Sequence, residues 1–365
     1  MAIQVSQTLA EIAWRQEHAM DAASEHVLFA PEALYGTYVP ATKALPVTTF
    51  NVTSRRSLIE PELTSFGRQQ GVVVQGEKPV NGSLVLPFFP QYMGTLFKAA
   101  MTAAVSTQQG GTIAYRHKLL PDDTAPLGSL SFEKQFSASE AQFIKGAKIK
   151  KITISCKAKE IAVVTLEFDA QDDAWVGGTW DDDGTAAPTE SVVLPYPTTL
   201  QLPFRFYQGV VKKGGTLSVV SGEIVVAAGT ELASVEAAEI TIECGQDPFY
   251  GLLGKPTAGA IRDLGRKVTC KLDLDWIAAG DDFIDDGRTA AETVVQLYFT
   301  GPNIAGIYNY EGIITLARCV PPQPEPPAIA GSKARRSHSV EYRCKRELTI
   351  DQDVGIVIQN AETSI

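Results

Sequence analysis

Two acidic runs are the residues best placed to do chemistry in this chain. Asp181-Asp182-Asp183-Gly184 and Asp281-Asp282-Phe283-Ile284-Asp285-Asp286-Gly287 crowd carboxylates beside a glycine, the donor chemistry of a hard cation such as calcium. An EF-hand loop also needs alternating ligands, a central glycine and a terminal glutamate, and neither run supplies them. Asp-Gly at a sharp β-turn accounts for both runs without a metal. The cysteines (Cys156, Cys244, Cys270, Cys319, Cys344) are widely spaced, form no CxxC, and read as reduced thiols buried in strands. The histidines His18, His26, His117 and His338 share no motif, and GxSxG, GxxxxGK[ST] and HExxH do not occur. The reading assigns no catalytic, cofactor-binding or metal-binding residue, expects no cofactor, and takes the chain as a non-enzyme.

Charge narrows the partners. Lys and Arg number 32 against 42 Asp and Glu, a formal charge of -10, which argues against binding duplex DNA by neutralising its phosphates. An acidic surface past which DNA slides remains compatible. From Glu160 to Phe204 there is no Lys or Arg, whereas Lys333–Arg346 is basic and suits an acidic patch on a neighbouring copy. Apolar runs such as Ile161–Leu166 and Ile224–Gly229 are strand-sized and far short of the roughly 18 residues of a membrane helix. No membrane contact and no secretory signal are expected.

The elements that must carry these residues are mostly strands. Period-2 alternation marks Gly71–Val74, Gly82–Leu86, Leu217–Ser221, Glu223–Val226, Gly312–Leu316 and Gly355–Ile358, with a turn at Pro79-Val80-Asn81. The spacing predicts a helix over Tyr92–Val105 and a second helix or arm over Thr8–Ala22, where Thr8 and Glu11 have capping-box spacing. Pro321–Ser337 opens with five prolines in seven residues and reads as an extended connection. The chain also matches itself. Lys151–Cys156 resembles Glu239–Cys244, Thr165–Asp169 resembles Lys271–Asp275, Trp175–Gly178 resembles Trp276–Ala279, and Asp182–Ala187 resembles Asp285–Ala291. The order is kept while the spacing wanders, as loop insertions between retained strands would produce. Two copies of one β-domain in tandem are expected, joined near Tyr196–Pro203.

A family resemblance rests on Ser54–Pro61, Gly71–Val74, Gly82–Leu86, the helix from Tyr92, Leu130–Glu133, and Phe143–Ser155 with its Gly146-Ala147-Lys148-Ile149 core. This series resembles the major tail tube proteins of phages with long non-contractile tails, in a twin-domain form. The resemblance covers about residues 28–200 directly and the remainder only through the internal repeat. It implies a mainly β fold of tandem β-sandwich or barrel-like domains with a short flanking helix. The expected division is an arm at 1–30, domains at 31–197 and 198–365, and a Pro-rich connection at 321–337. It further implies stacked rings around a channel that passes genomic DNA without specific binding, and with a net charge of -10 per chain the channel face is expected to be acidic. Three chains are expected to imitate a six-fold ring. The implied partners are further copies of the chain and the tail tip, terminator and tape-measure proteins, in a virion tail assembled in host cytoplasm. The competing reading is a tail-tip or surface adhesion module that binds a receptor or glycan through Trp175, Trp180 and Trp276.

Overall fold

The computed structural model describes residues 26–60, 73–137, 139–191, 202–252, 254–275, 289–321 and 337–365. The helix proposed at Thr8–Ala22, most of the Tyr196–Pro203 join, Trp276, the Asp281–Gly287 run and nearly all of Pro321–Ser337 lie outside them.

The fold is mainly β, as expected. The first set of strands is β1 (His26–Pro31), β2 (Lys43–Leu45), β3 (Thr49–Ser54), the short β4 (Leu58–Ile59) and β5 (Val74–Gln75), and β6 (Val80–Pro87). Helix α1 (Met93–Met101) and a hairpin of β7 (Thr102–Gln108) and β8 (Tyr115–Pro121) follow. The set closes with β9 (Leu130–Gln135), β10 (Ala141–Lys157), β11 (Val163–Ala170) and β12 (Asp172–Trp175). The second set starts with β13 (Gly209–Lys213), the hairpin β14 (Thr216–Val220) and β15 (Glu223–Ala227), and β16 (Thr230–Glu231). It continues through β17 (Val235–Phe249), β18 (Ala260–Asp275), β19 (Thr293–Ala305), β20 (Tyr308–Val320), β21 (Ser337–Lys345) and β22 (Val354–Asn360).

The pairing pattern of the first set recurs in the second, always antiparallel. β1 pairs with β2 and β9, as β13 pairs with β16 and β19. β9 pairs with β10, as β19 pairs with β20. β10 pairs with β11 and β12, as β20 pairs with β21 and β22. β3 pairs with β6, and β6 with β11; β17 pairs with β18, and β18 with β21. By connectivity, then, β10 corresponds to β20 and β3 to β17.

This correspondence differs from the one suggested by sequence similarity. The look-alike segments Lys151–Cys156 and Glu239–Cys244 lie on β10 and β17, which pair directly with each other, Thr153 opposite Thr241. Strands side by side in one sheet share the same core face and the same polar face, so their alternation converges whatever their place in the chain. The matched strands β11 and β18 flank that pair on either side, so the similarity follows a local two-fold through Thr153 and Thr241.

Two layers result. The wall sheet runs β3–β6–β11–β10–β17–β18–β21–β20, and each set adds an outer sheet on its own side. Among the described residues the registered pairings, followed strand by strand, run out at β3 rather than returning to it, which leaves the wall a free end there. β10 serves both layers. Its first part pairs with β9 and β12, and its second with β11 and β17. The crossing falls at a bulge between Ile144 and Ala147, where Gly146 sits at φ +65° and its N–H donates to Glu32 Oε1 at 2.7 Å. The core between layers is continuous across the two sets: Phe88 contacts Phe204 and Phe299 with ring centroids 5.1 and 5.6 Å apart. Helix α1 buries Met93, Leu96, Phe97, Ala100 and Met101 against that core.

Two local readings change. The helix stops at Met101 instead of Val105, because Thr102 turns to φ +65° and Thr102–Gln108 gains a full ladder with β8. Val80 and Asn81 lie within β6 rather than in a turn. The hairpin this creates reaches across the chain, and β8 pairs with β22 of the second set.

Gly146→Ala tests the crossing. A Cβ there would lie 2.7 Å from Gln171 Cβ in a left-handed conformation, so chemical denaturation should show a loss of about 2 kcal/mol. An unchanged midpoint would mean that the bulge is not required.

Candidate assembly interface

The wall sheet has one apolar and one polar face, and the seam between β10 and β17 shows how both are used. Ile152, Ile154, Ile240 and Ile242 are buried in the core. On the opposite face the register lines residues into rows across the strands. Thr165, Thr153, Thr241 and Thr269 stand successively opposite one another, and Thr153 Oγ1 lies 3.5 Å from Thr241 Oγ1. Beside them runs Glu167, Lys151, Glu243 and Lys267, with ion pairs of 3.2 Å (Lys151–Glu167) and 3.6 Å (Lys267–Glu243). A third row carries Ser155, Glu239, Lys271 and Glu341. Signs alternate along each charged row, so the face is close to neutral rather than acidic. The seam is held by the backbone ladder and by apolar burial beneath it; its exposed ion pairs each contribute less than about 1 kcal/mol.

β3 is the free counterpart of β17. Among the described residues β3 pairs only with β6, and Thr49, Asn51 and Thr53 are exposed. An unpaired edge of this kind is a template for a strand from another chain. Beyond the wall, the two corresponding hairpins extend and carry exposed apolar residues. These are Leu58, Ile59, Val73 and Val74 near β4 and β5, and Phe249, Leu252 and Leu264 at the end of β17–β18. Exposed apolar groups gathered on projecting hairpins mark contact surfaces.

A family model described as phage tail tube protein matches residues 22–344. The chain belongs to that family. No curated protein matches it.

Within this tail tube chain the acidic run at Asp181–Asp183 has cationic partners. Lys78 Nζ lies 2.8 Å from carboxylate oxygens of Asp172, Asp173 and Asp181 and donates to the Asp173 carbonyl at 2.9 Å. Arg56 also pairs with Asp181. Lys145 reaches Asp182 at 2.6 Å and lies 4.4 Å from the Trp180 ring centroid. Asp172 Oδ2 accepts from the Asp181 and Asp182 amides and so shapes the turn. Burial alone would lower the Lys78 pKa, but its hydrogen bonds to Asp172, Asp173 and Asp181 hold it above the ordinary lysine value. Burial likewise opposes ionisation of Asp173, yet its bonds to Lys78, Ser54 and Gln142 keep its pKa below the usual carboxylate value. The run therefore caps an ionic knot whose buried members are Lys78, Lys145, Asp172 and Asp173, and which fastens the segment entering β6, together with β10 and β12, to the following turn. Among the described residues no group of three or more His, Cys, Asp or Glu could hold a metal ion.

The remaining sequence candidates separate. Trp180 is buried, while Trp175 is half-exposed and stacks on Phe136 with centroids 5.5 Å apart. His117 is buried between Ser106 Oγ (2.8 Å) and Asn360 Oδ1 (2.9 Å), joining β7, β8 and β22. All five cysteines lie in strands; burial pushes the Cys156 and Cys244 thiols up to about 11.

Replacing Lys78 with Met should leave several carboxylates buried without their cation. Urea titration should show a loss of about 3–5 kcal/mol. The exposed Lys151→Ala should cost under about 1 kcal/mol. Equal effects would contradict the knot.

Proposed function

We propose that the chain is a wall subunit of a tail tube, in which copies close rings and the rings stack around a channel for DNA. The observation that carries this reading is the β10–β17 seam. It joins two strand sets of the same connectivity, so it supplies within one chain the contact that ring closure needs between chains. β10 corresponds to β20 and β17 to β3, so the same contact made outside the chain brings the end of β20 in one copy, past Cys319 where its pairing with β19 stops, to the free edge of β3 in the next. Such head-to-tail contacts close into a ring when the rotation fits. With two wall domains per chain (31–197 and 198–365), three chains fill a six-domain ring. β1 takes the last residues of the proposed 1–30 arm into the first outer sheet.

The projecting apolar hairpins are suited to contacts between successive rings. The polar face of the wall is suited to the lumen, although it departs from the acidic channel that net charge suggested. Its neutral rows offer few uncompensated cations to capture phosphate, so DNA passes without counterion-release binding. Further copies, the tail tip, the terminator and a tape-measure protein are the partners of such a subunit, which is built in host cytoplasm and ends in the virion tail.

Edge blocking tests the reading. Adjacent amides of a strand point to opposite sides, so one of Thr53→Pro and Ser54→Pro removes an outward donor of β3. Micrographs of the purified protein should show long hollow polymers for the parent chain. At least one variant should retain its circular dichroism spectrum, remain monomeric, and lose polymer yield at least tenfold. Discrete small oligomers from the parent chain, or undiminished polymers from both variants, would sink the proposal.

A further inference from the structure

Two thiols face each other on one of the short ladders of the second set of strands. Cys319 on β20 stands directly opposite Cys344 on β21, with 3.2 Å between the sulfurs. Directly opposed residues of antiparallel strands have Cα separations of about 4.5–5.5 Å, within the span a disulfide bridges. The corresponding ladder of the first set, β10–β11, registers seven residue pairs; among the described residues β20–β21 registers three, Arg318–Lys345, Cys319–Cys344 and Val320–Arg343. The thiol pair is the middle one of those three. Cys319 is buried, while Cys344 is partly exposed and lines an open cleft with Arg266 and Asp353, so Cys344 is the more accessible residue of the pair.

We propose that Cys319 and Cys344 form a conditional staple, a dithiol while the surroundings are reducing and a disulfide once a small-molecule disulfide is the dominant redox partner. The Cys344 thiolate attacks one sulfur of the small disulfide, breaks its S–S bond and releases one small thiolate. The Cys319 thiolate then attacks Cys344 Sγ, forms the protein disulfide and expels the second small thiolate. The two thiol protons pass through solvent to the released thiolates, and the two electrons end on the small molecule. The hydrogen bond with Cys319, together with burial, raises the Cys344 pKa, so the first step is slow at neutral pH and speeds up as pH rises. Closing this bond ties β21 to β20 across residues 320–343, the segment that contains the Pro-rich connection, and restrains the unfolded chain over that loop. The proposal rests on the register and the sulfur separation and holds whether or not the chain forms rings.

The test uses the full chain, reduced and then incubated with oxidised glutathione at pH 7 and pH 9. Thiol counting in denaturant should fall from five to three, faster at pH 9, and non-reducing peptide maps should show a Cys319–Cys344 link. The thermal midpoint should rise by roughly 3–8 °C in the oxidised form. The double variant Cys319→Ala/Cys344→Ala should show no oxidation-dependent shift. If the double variant does not fold, the reduced and oxidised forms of the parent chain still give the comparison. A link between Cys270 and Cys344, retention of five thiols at both pH values, or an unchanged midpoint in the linked protein would overturn the proposal.

Discussion

Backbone pairing between β10 and β17 is the constraint on which the rest of the molecule depends. It fuses two strand sets into one wall, and it can form only if β10 leaves the outer sheet at the proper place. That exit is the bulge at Gly146, held by Glu32 on one side and crowded by Gln171 on the other. Register follows from burial. A slip of β10 by one residue would turn Ile152 and Ile154 to the polar face and drive Lys151 into the core, and a slip of β17 would do the same to Ile240, Ile242 and Glu243. The same seam explains why a chain of net charge -10 can have a balanced face, since cross-strand register sets Glu beside Lys along each row.

Much of the β architecture was legible in the sequence, because alternation and β-branched content report directly on a half-buried strand. Gly82–Leu86, Glu223–Val226 and Gly355–Ile358 all fall inside observed strands. The internal repeat was legible only in distorted form. Its strongest match reflects two strands that are neighbours in space, whereas the connectivity that recurs links strands of unlike sequence, β10 with β20 and β3 with β17. Side-chain similarity follows shared environment, and the order of pairings leaves little trace in a single chain.

The ionic knot was legible in half. The carboxylates of Asp181–Asp183 stood out, but their counter-ions come from 94 and 103 residues away in the case of Lys78 with Asp172 and Asp181. A faint signal existed in Lys145 and Lys148, two cations in the otherwise apolar run Phe143–Ile149, which suggests lysines brought inside for partners. The end of α1 was illegible for a similar reason. Thr102–Gln108 continues an Ala-rich pattern compatible with helix, and only the distant strand β8 makes the extended form preferable.

The central claim is that the seam inside the chain is repeated between chains, which fixes the number of chains in a ring. Mass measurement of an isolated ring, supported by the rotational symmetry of end-on images, reads that number directly. The account predicts three chains, with six similar densities around the channel. Six chains per ring would contradict it, because the second strand set would then lie outside the wall and β10–β17 would not be the repeating contact.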